Sequence, residues 1–261
     1  MAVLTIEHKS PTMRRDMPLK VVLPFDREGV PPYPLVVLLH GLQGNCNTWL
    51  YNTRIERWAC DRNLAVAMPQ GDNGFWIEPG VAGGPQGDYG AYIVEVTQLM
   101  RDLFPVANDR EHTFVGGFSM GGYGALRAAL LWPELYSKAL VFSAACHFFE
   151  EDEPGDMAGE LRLFEPREEK RATDLNPRWL AERLGREAGR DLFPAFKMLV
   201  GADDSLARCN AAMAQCLAEQ GASVQFEERR GIHSWNFVQG HLEEGLDWLA
   251  GGARANEGSL D

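Results

Sequence analysis

Thr113-Phe114-Val115-Gly116-Gly117-Phe118-Ser119-Met120-Gly121-Gly122-Tyr123-Gly124-Ala125-Leu126 is the stretch whose reading decides the fold. It opens as an apolar, β-prone run and turns through a glycine-rich segment at Ser119. It continues as Ala125-Leu126-Arg127-Ala128-Ala129-Leu130-Leu131, a helix-forming composition. Strand, Gly-x-Ser-x-Gly and helix in that order make a nucleophile elbow. The strained turn pushes the Ser119 hydroxyl clear of the backbone. Glycines at 117 and 121 permit a strand–helix approach that side chains would block. The N–H groups that follow Ser119 fall at a helix N-terminus, where positive partial charge suits an oxyanion.

The flanking chain alternates in the same way. Leu35-Val36-Val37-Leu38-Leu39 is a continuous apolar run, the mark of a strand buried on both faces, and it leads into His40-Gly41-Leu42-Gln43-Gly44-Asn45. Leu64–Pro69, Lys138–Phe142 and Phe196–Val200 read the same way. Val3–His8 and Ser223–Glu228 alternate as half-buried strands, and Leu19–Pro24 is a strand stopped by proline. Helices are predicted over 53–62, 91–104, 207–220 with Gly221 as the C-cap, and 235–249. A long Gly/Pro/Asn-rich loop, 70–88, carries Phe75 and Trp76.

This pattern predicts an α/β fold: a mostly parallel, twisted sheet with helices on both faces. The chain reads as one domain, 1–261. It carries a polar, acidic insertion at about 147–195, with short helices near 158–164 and 177–185, packed over the sheet edge. The tail, 251–261, is expected to be disordered.

Composition narrows the partners. A net charge of −12 over 261 residues disfavours nucleic acid and anionic membrane surfaces. No apolar run near the N-terminus suits a signal peptide and none elsewhere suits a membrane span, so the expected location is the cytoplasm. Five cysteines with no framework spacing fit reduced thiols. Cys209 and Cys216, seven apart on one helix face, are expected to pack in the core.

A serine hydroxyl needs a base, and a histidine base needs a third group to fix its tautomer. The chain order nucleophile, acid, histidine is met by Ser119, then Asp203-Asp204 after a strand, then His233 in a turn after a later strand. The Gly-x-x-Asp spacing favours Asp204, with Asp203 the competitor. An oxyanion hole needs two converging N–H donors, expected from Met120 and Leu42. His40 is read as a structural histidine holding the loop. Among the aromatics, Trp76 is the better pocket candidate. Trp49 and Trp235 are at least as well explained as core.

Val37–Asn45 with Asn47-Thr48-Trp49, Gly117–Ala125, Gly201–Asp204 and Gly231–Trp235 together resemble the tributyrin esterases, within the esterase D group that includes S-formylglutathione hydrolases. The likeness runs from about residue 3 to about residue 250. It implies an α/β-hydrolase of roughly eight strands acting on short-chain acyl esters through an acyl-enzyme on Ser119. His233 would be the base and Asp204 its partner. No metal or organic cofactor is implied, and family members are often homo-oligomers. Feruloyl or acetylated-sugar esters, and acyl transfer to an alcohol on the same residues, are alternatives. A non-catalytic binding role fits the intact Ser–Asp–His set less well. Gln43 departs from the family, standing where a small residue is usual.

Overall fold

In the computed structural model, β3 (Leu35–Leu39) is buried along its whole length because successive side chains leave on opposite faces. Leu35, Val37 and Leu39 enter one core cluster, and Val36 and Leu38 enter the other. The structure describes residues 1–25, 31–78, 87–149, 160–187 and 192–251.

The remaining strands are β1 (Ala2–Ser10), β2 (Arg15–Leu23), β4 (Ala65–Pro69), β5 (Thr113–Phe118), β6 (Lys138–Phe142), β7 (Ala195–Gly201) and β8 (Val224–Arg229). They form one eight-stranded sheet in the order β1-β2-β4-β3-β5-β6-β7-β8. β1 pairs antiparallel with β2, and β2 antiparallel with β4; every other pairing is parallel.

The helices are α1 (Thr48–Asn52), α2 (Ile55–Asp61), α3 (Tyr89–Leu103), α4 (Met120–Leu131), α5 (Arg167–Lys170), α6 (Pro177–Glu187), α7 (Ala207–Glu219) and α8 (Trp235–Leu249). Both apolar faces of the sheet are therefore covered. Buried residues of α3, α4, α6 and α7 share one cluster, and those of α1, α2 and α8 share the other. On α8 the stripe Phe237, Val238, Leu242, Leu246 and Leu249 faces the sheet. Lys138 Nζ closes the far end of that helix, donating to the carbonyls of Trp248 (3.0 Å) and Leu249 (2.9 Å).

Two helix starts and the seat of the insertion differ from the sequence reading, each for a local reason. The helix expected over 53–62 is α2, which starts only at Ile55, and α1 precedes it where no helix was expected. Thr53 is extended, and its hydroxyl donates to the Trp49 carbonyl (2.5 Å) while accepting the Ile55 N–H (3.2 Å), which breaks the ladder. α3 begins two residues early because the Asp88 carboxylate caps it by accepting the Ala91 N–H at 2.9 Å. The described part of the insertion leans on the helical layer: α6 packs on α4 and α7. Its anchors are Tyr123 Oη, which donates to the Leu175 carbonyl (2.6 Å), and Arg127, buried and bonded to the Asp174 carboxylate and carbonyl. The tail expected to be disordered lies, beyond Gly251, outside the described residues.

The parallel registers align the carboxyl ends of β3, β5 and β6, pairing Leu39 with Gly117 and Phe118 with Phe142. β7 and β8 end together at Gly201 and Arg229. Segments distant in sequence thus emerge on one edge of the sheet. At that edge a Cβ on Gly121 would land on the Leu39 carbonyl, which is backbone and cannot swing aside. Gly121→Ala should accordingly destabilise the fold by about 3 kcal/mol, read as a lowered urea midpoint at unchanged slope.

Candidate active site

Ser119 sits between β5 and α4 with φ 59° and ψ −117°. A left-handed φ on a residue with a side chain is strained. Surrounding bonds hold it: the Ser119 N–H donates to the Phe142 carbonyl (2.9 Å), and its carbonyl accepts from Tyr123 N–H (3.0 Å) and Ala145 N–H (3.1 Å). The hydroxyl is thereby turned out of the strand–helix junction.

Asp204 follows β7, and its side chain is fully buried. Asp203 beside it is exposed and contributes a backbone bond to Gly231. The two neighbouring carboxylates are thus separated in environment. His233 lies in the turn before α8. Ser234 caps that helix by accepting the Phe237 N–H (3.3 Å), so the helix cannot begin earlier and the imidazole stays in the turn.

The three side chains meet. Ser119 Oγ lies 3.0 Å from His233 Nε2, and Asp204 Oδ2 lies 2.9 Å from His233 Nδ1. A carboxylate only accepts, so Nδ1 carries the proton and Nε2 is left to receive the hydroxyl's. Burial pushes the Asp204 carboxyl up. Hydrogen bonds from His233 (2.9 Å) and from the Leu206 N–H (2.8 Å) outweigh it, leaving Asp204 below its ordinary range and ionised.

The His40 turn supplies the other wall. His40 is buried, and Gly71 N–H donates to its Nε2 at 2.8 Å. That bond fixes the neutral tautomer with the proton on Nδ1, which donates to the Gly41 carbonyl at 2.8 Å. Gly44 N–H donates to the same carbonyl (3.1 Å). With the Gly41 carbonyl held to that side, the trans peptide aims the Leu42 N–H the opposite way. A Cβ on Gly41 would lie 3.4 Å from Ser119 Cβ, so this peptide is packed against the serine. Among the described residues neither the Leu42 nor the Met120 N–H is taken by a protein acceptor. Gln43 adopts φ 60°, with its N–H on the Asn73 side-chain oxygen (2.8 Å), and is exposed.

The aromatic candidates divide. Trp76 is fully buried, against its expectation as a pocket wall. Its Nε1 donates to the His40 carbonyl at 3.2 Å, so it props the His40 turn from below. Trp49 is likewise buried and stands edge-on behind Trp235, 5.0 Å between ring centres. Trp235 is partly buried and meets Phe118 edge-on at 4.9 Å.

Sequence reasoning missed Phe118, whose ring stacks on His233 at 4.7 Å and limits the tilt of the imidazole; its place just before Ser119 in the motif was the available signal. It also missed Asn210, which is buried on α7. The Asn210 side-chain oxygen accepts Ala144 N–H (2.9 Å), and Nδ2 donates to the carbonyls of Ala144 (2.9 Å) and Leu206 (2.8 Å). No local pattern signals such a residue, because both its partners are distant in the chain or in the preceding turn. Among the described residues no group of three or more His, Cys, Asp or Glu side chains is arranged to hold a metal ion.

Burial lowers the His40 pKa, with the Gly41 bond opposing, so a proton is resisted through the range where an exposed histidine titrates. Imidazole nitrogen NMR should show His40 as the neutral Nδ1–H tautomer at pH 6. Protonation arrives only at lower pH, with loss of the Gly71 bond.

Comparison with known proteins places the chain in a family. The Esterase family model ("Putative esterase") matches residues 10–249. An acetyl esterase of Caldicellulosiruptor saccharolyticus is 29% identical over 267 residues, spanning 96% of this chain and 98% of that enzyme. Among solved structures, the fluorophosphonate-binding serine hydrolase F of Staphylococcus aureus superposes with a TM-score of 0.83 at 26% identity, covering 95% of this chain and 98% of that one. The S-formylglutathione hydrolase of the same organism gives 0.81 at 28% identity, with the same coverage. From its elbow, its sheet order and this match over nearly its whole length, the chain belongs to the esterase family, as a serine hydrolase of the α/β-hydrolase fold acting on carboxylic esters.

Proposed function

We propose that Ser119, His233 and Asp204 are the catalytic triad of a short-chain carboxylesterase. The observation that carries this reading is the continuous chain of hydrogen bonds, 3.0 Å from Ser119 Oγ to His233 Nε2 and 2.9 Å from His233 Nδ1 to Asp204 Oδ2. Ser119 Oγ attacks the ester carbonyl carbon while His233 Nε2 takes its proton. Asp204, ionised and sealed from water, stabilises the imidazolium. The carbonyl oxygen becomes an oxyanion held by the N–H groups of Leu42 and Met120. Collapse expels the alcohol, which leaves with the proton from His233, and an acyl group remains on Ser119. Water then repeats the sequence, giving its proton to His233 and releasing the acid.

Short acyl chains are favoured by the likeness to an acetyl esterase and by the aromatic filling beside α4. There Phe75, Tyr123, Phe148 and Phe164 pack ring to ring and are all fully buried. We place the enzyme in the cytoplasm. None of the five cysteines forms a disulfide, as suits a reducing compartment, and no described helix is long and apolar enough to cross a membrane. A homo-oligomer is the expected assembly for such an enzyme.

Ser119→Ala should lower kcat on p-nitrophenyl acetate by about 10,000-fold or more with the fold intact. Asp204→Asn should cost about 1,000-fold or more, and Asp203→Asn about twofold or less, as expected of an exposed residue. A larger loss at Asp203 would reverse the choice of acid. Across p-nitrophenyl esters from acetate to decanoate, kcat/KM should peak at two to four acyl carbons. A stronger response to methyl ferulate, or acyl transfer to added alcohols outrunning hydrolysis, would redirect the assignment to the corresponding ester or to a transferase.

A further inference from the structure

Two strained turns face each other at the carboxyl edge of the sheet, and one side chain joins their middles. The first is Gly41-Leu42-Gln43-Gly44, closed by the Gly44 N–H on the Gly41 carbonyl at 3.1 Å. Leu42 keeps a negative φ, and Gln43 takes φ 60°. A reversal with positive φ only at its third residue is a type II turn, and glycine or asparagine is the usual occupant of that position. Glutamine carries a Cβ, so the position is strained. The second turn is Gly71-Asp72-Asn73-Gly74, closed by the Gly74 N–H on the Gly71 carbonyl at 3.1 Å, with Asp72 at φ 45°.

The second turn is anchored to the rest of the fold. Asp72 Oδ2 accepts from Tyr89 Oη at 2.6 Å and from the Arg15 guanidinium, and Oδ1 accepts from Gln70 Nε2 at 2.7 Å. Arg15 opens β2 and Tyr89 opens α3, so the turn is held between a strand and a helix. It holds the first turn in its own right. Gly71 N–H bonds His40, which precedes that turn, and Gln70 Oε1 accepts the N–H of Cys46, which follows it, at 3.1 Å. The middle is tied by Asn73, whose Oδ1 accepts the Gln43 N–H at 2.8 Å.

We propose that Asn73 is a positioning residue for the oxyanion hole: by accepting the Gln43 N–H it keeps the 41–44 turn in its type II form and so seats the Leu42 N–H, a role that rests on the esterase reading with Leu42 as an oxyanion donor. The rival is a type I turn, whose third residue has negative φ and suits glutamine better. Passing from one form to the other turns the Leu42–Gln43 peptide over and brings the Leu42 carbonyl to where the Gln43 N–H stood. The Asn73 side-chain oxygen accepts an N–H and repels a carbonyl, so it selects between the two forms. Leu42 is the corner about which that peptide turns, and its own N–H shifts when the turn re-forms. Asn73 and Gln43 are both exposed, so removing the bond leaves no buried polar group unpaired, and the fold survives the change.

The test is a double-mutant cycle on the full chain with p-nitrophenyl acetate, because acylation and deacylation both pass through the oxyanion. Asn73→Ala should lower kcat by about tenfold with KM unchanged. The inhibition constant of trifluoroacetone, whose adduct on Ser119 carries the same oxyanion, should rise in step, at an unchanged melting temperature. Glycine takes positive φ without strain, so in a Gln43→Gly background Asn73→Ala should cost about twofold or less. The proposal is overturned if Asn73→Ala keeps full kcat, if it raises KM alone, or if it costs as much in the Gln43→Gly background as in the unaltered one. An unaltered chain that turns over no ester would instead remove the esterase reading, and the role of Asn73 with it.

Discussion

The tight backbone approach where α4 leaves β5 and passes over the end of β3 is the constraint on which the rest depends. Gly117 and Gly121 lie against one another, and Gly121 lies against the Leu39 carbonyl. Side chains there would force the helix off the sheet. The chain must therefore reverse within one residue, and Ser119 takes up that reversal at φ 59°. The strain is a cost of order 1–3 kcal/mol. It is offset by the hydrogen bonds of the Ser119 peptide to β6, α4 and the Ala145 loop.

Once α4 is seated, its far side organises what covers it. Arg127 reaches both the Asp174 carboxylate and the Trp76 carbonyl, at 3.5 Å for the latter, so one buried cation ties the insertion and the long loop to the elbow helix. Trp76 in turn supports the His40 turn, and His40 orients the peptide that faces Ser119. A buried guanidinium without its carboxylate would be costly. This route couples the placement of a distant loop to the serine through contacts that are each individually modest.

The surroundings of Asp204 are built differently. Asp204 is sealed from water and stays ionised because the His233 Nδ1–H and the Leu206 N–H converge on its carboxylate. Its loop is pinned through Asn210 to the segment following β6, which also bonds Ser119. Ser119 and Asp204 thus share a short stretch of backbone, Ser143 to Ala145.

Much of this was legible in the sequence because it is local. Apolar runs of strand length marked β3 to β7, glycine spacing marked the elbow, and chain order marked Ser119, Asp204 and His233. The start of α2 at Ile55 was not legible, because helix periodicity does not register a Thr53 hydroxyl competing with the backbone. The placement of Trp76 was misjudged because residence in a long loop says nothing about burial, and here the loop folds back beneath the His40 turn. By itself, then, the sequence determined the alternation of strands and helices, the strained serine turn and the residue types available at the sheet edge, since these follow from side-chain size and periodicity within a few residues. Only the tertiary structure decided which carboxylate is buried, which way the Leu42 N–H points, that Phe118 lies under the imidazole, and that Asn210 and Cys209 meet the β6 loop. Those depend on hydrogen bonds and packing between segments up to more than a hundred residues apart, as Ser119 and His233 are, and no local pattern encodes them.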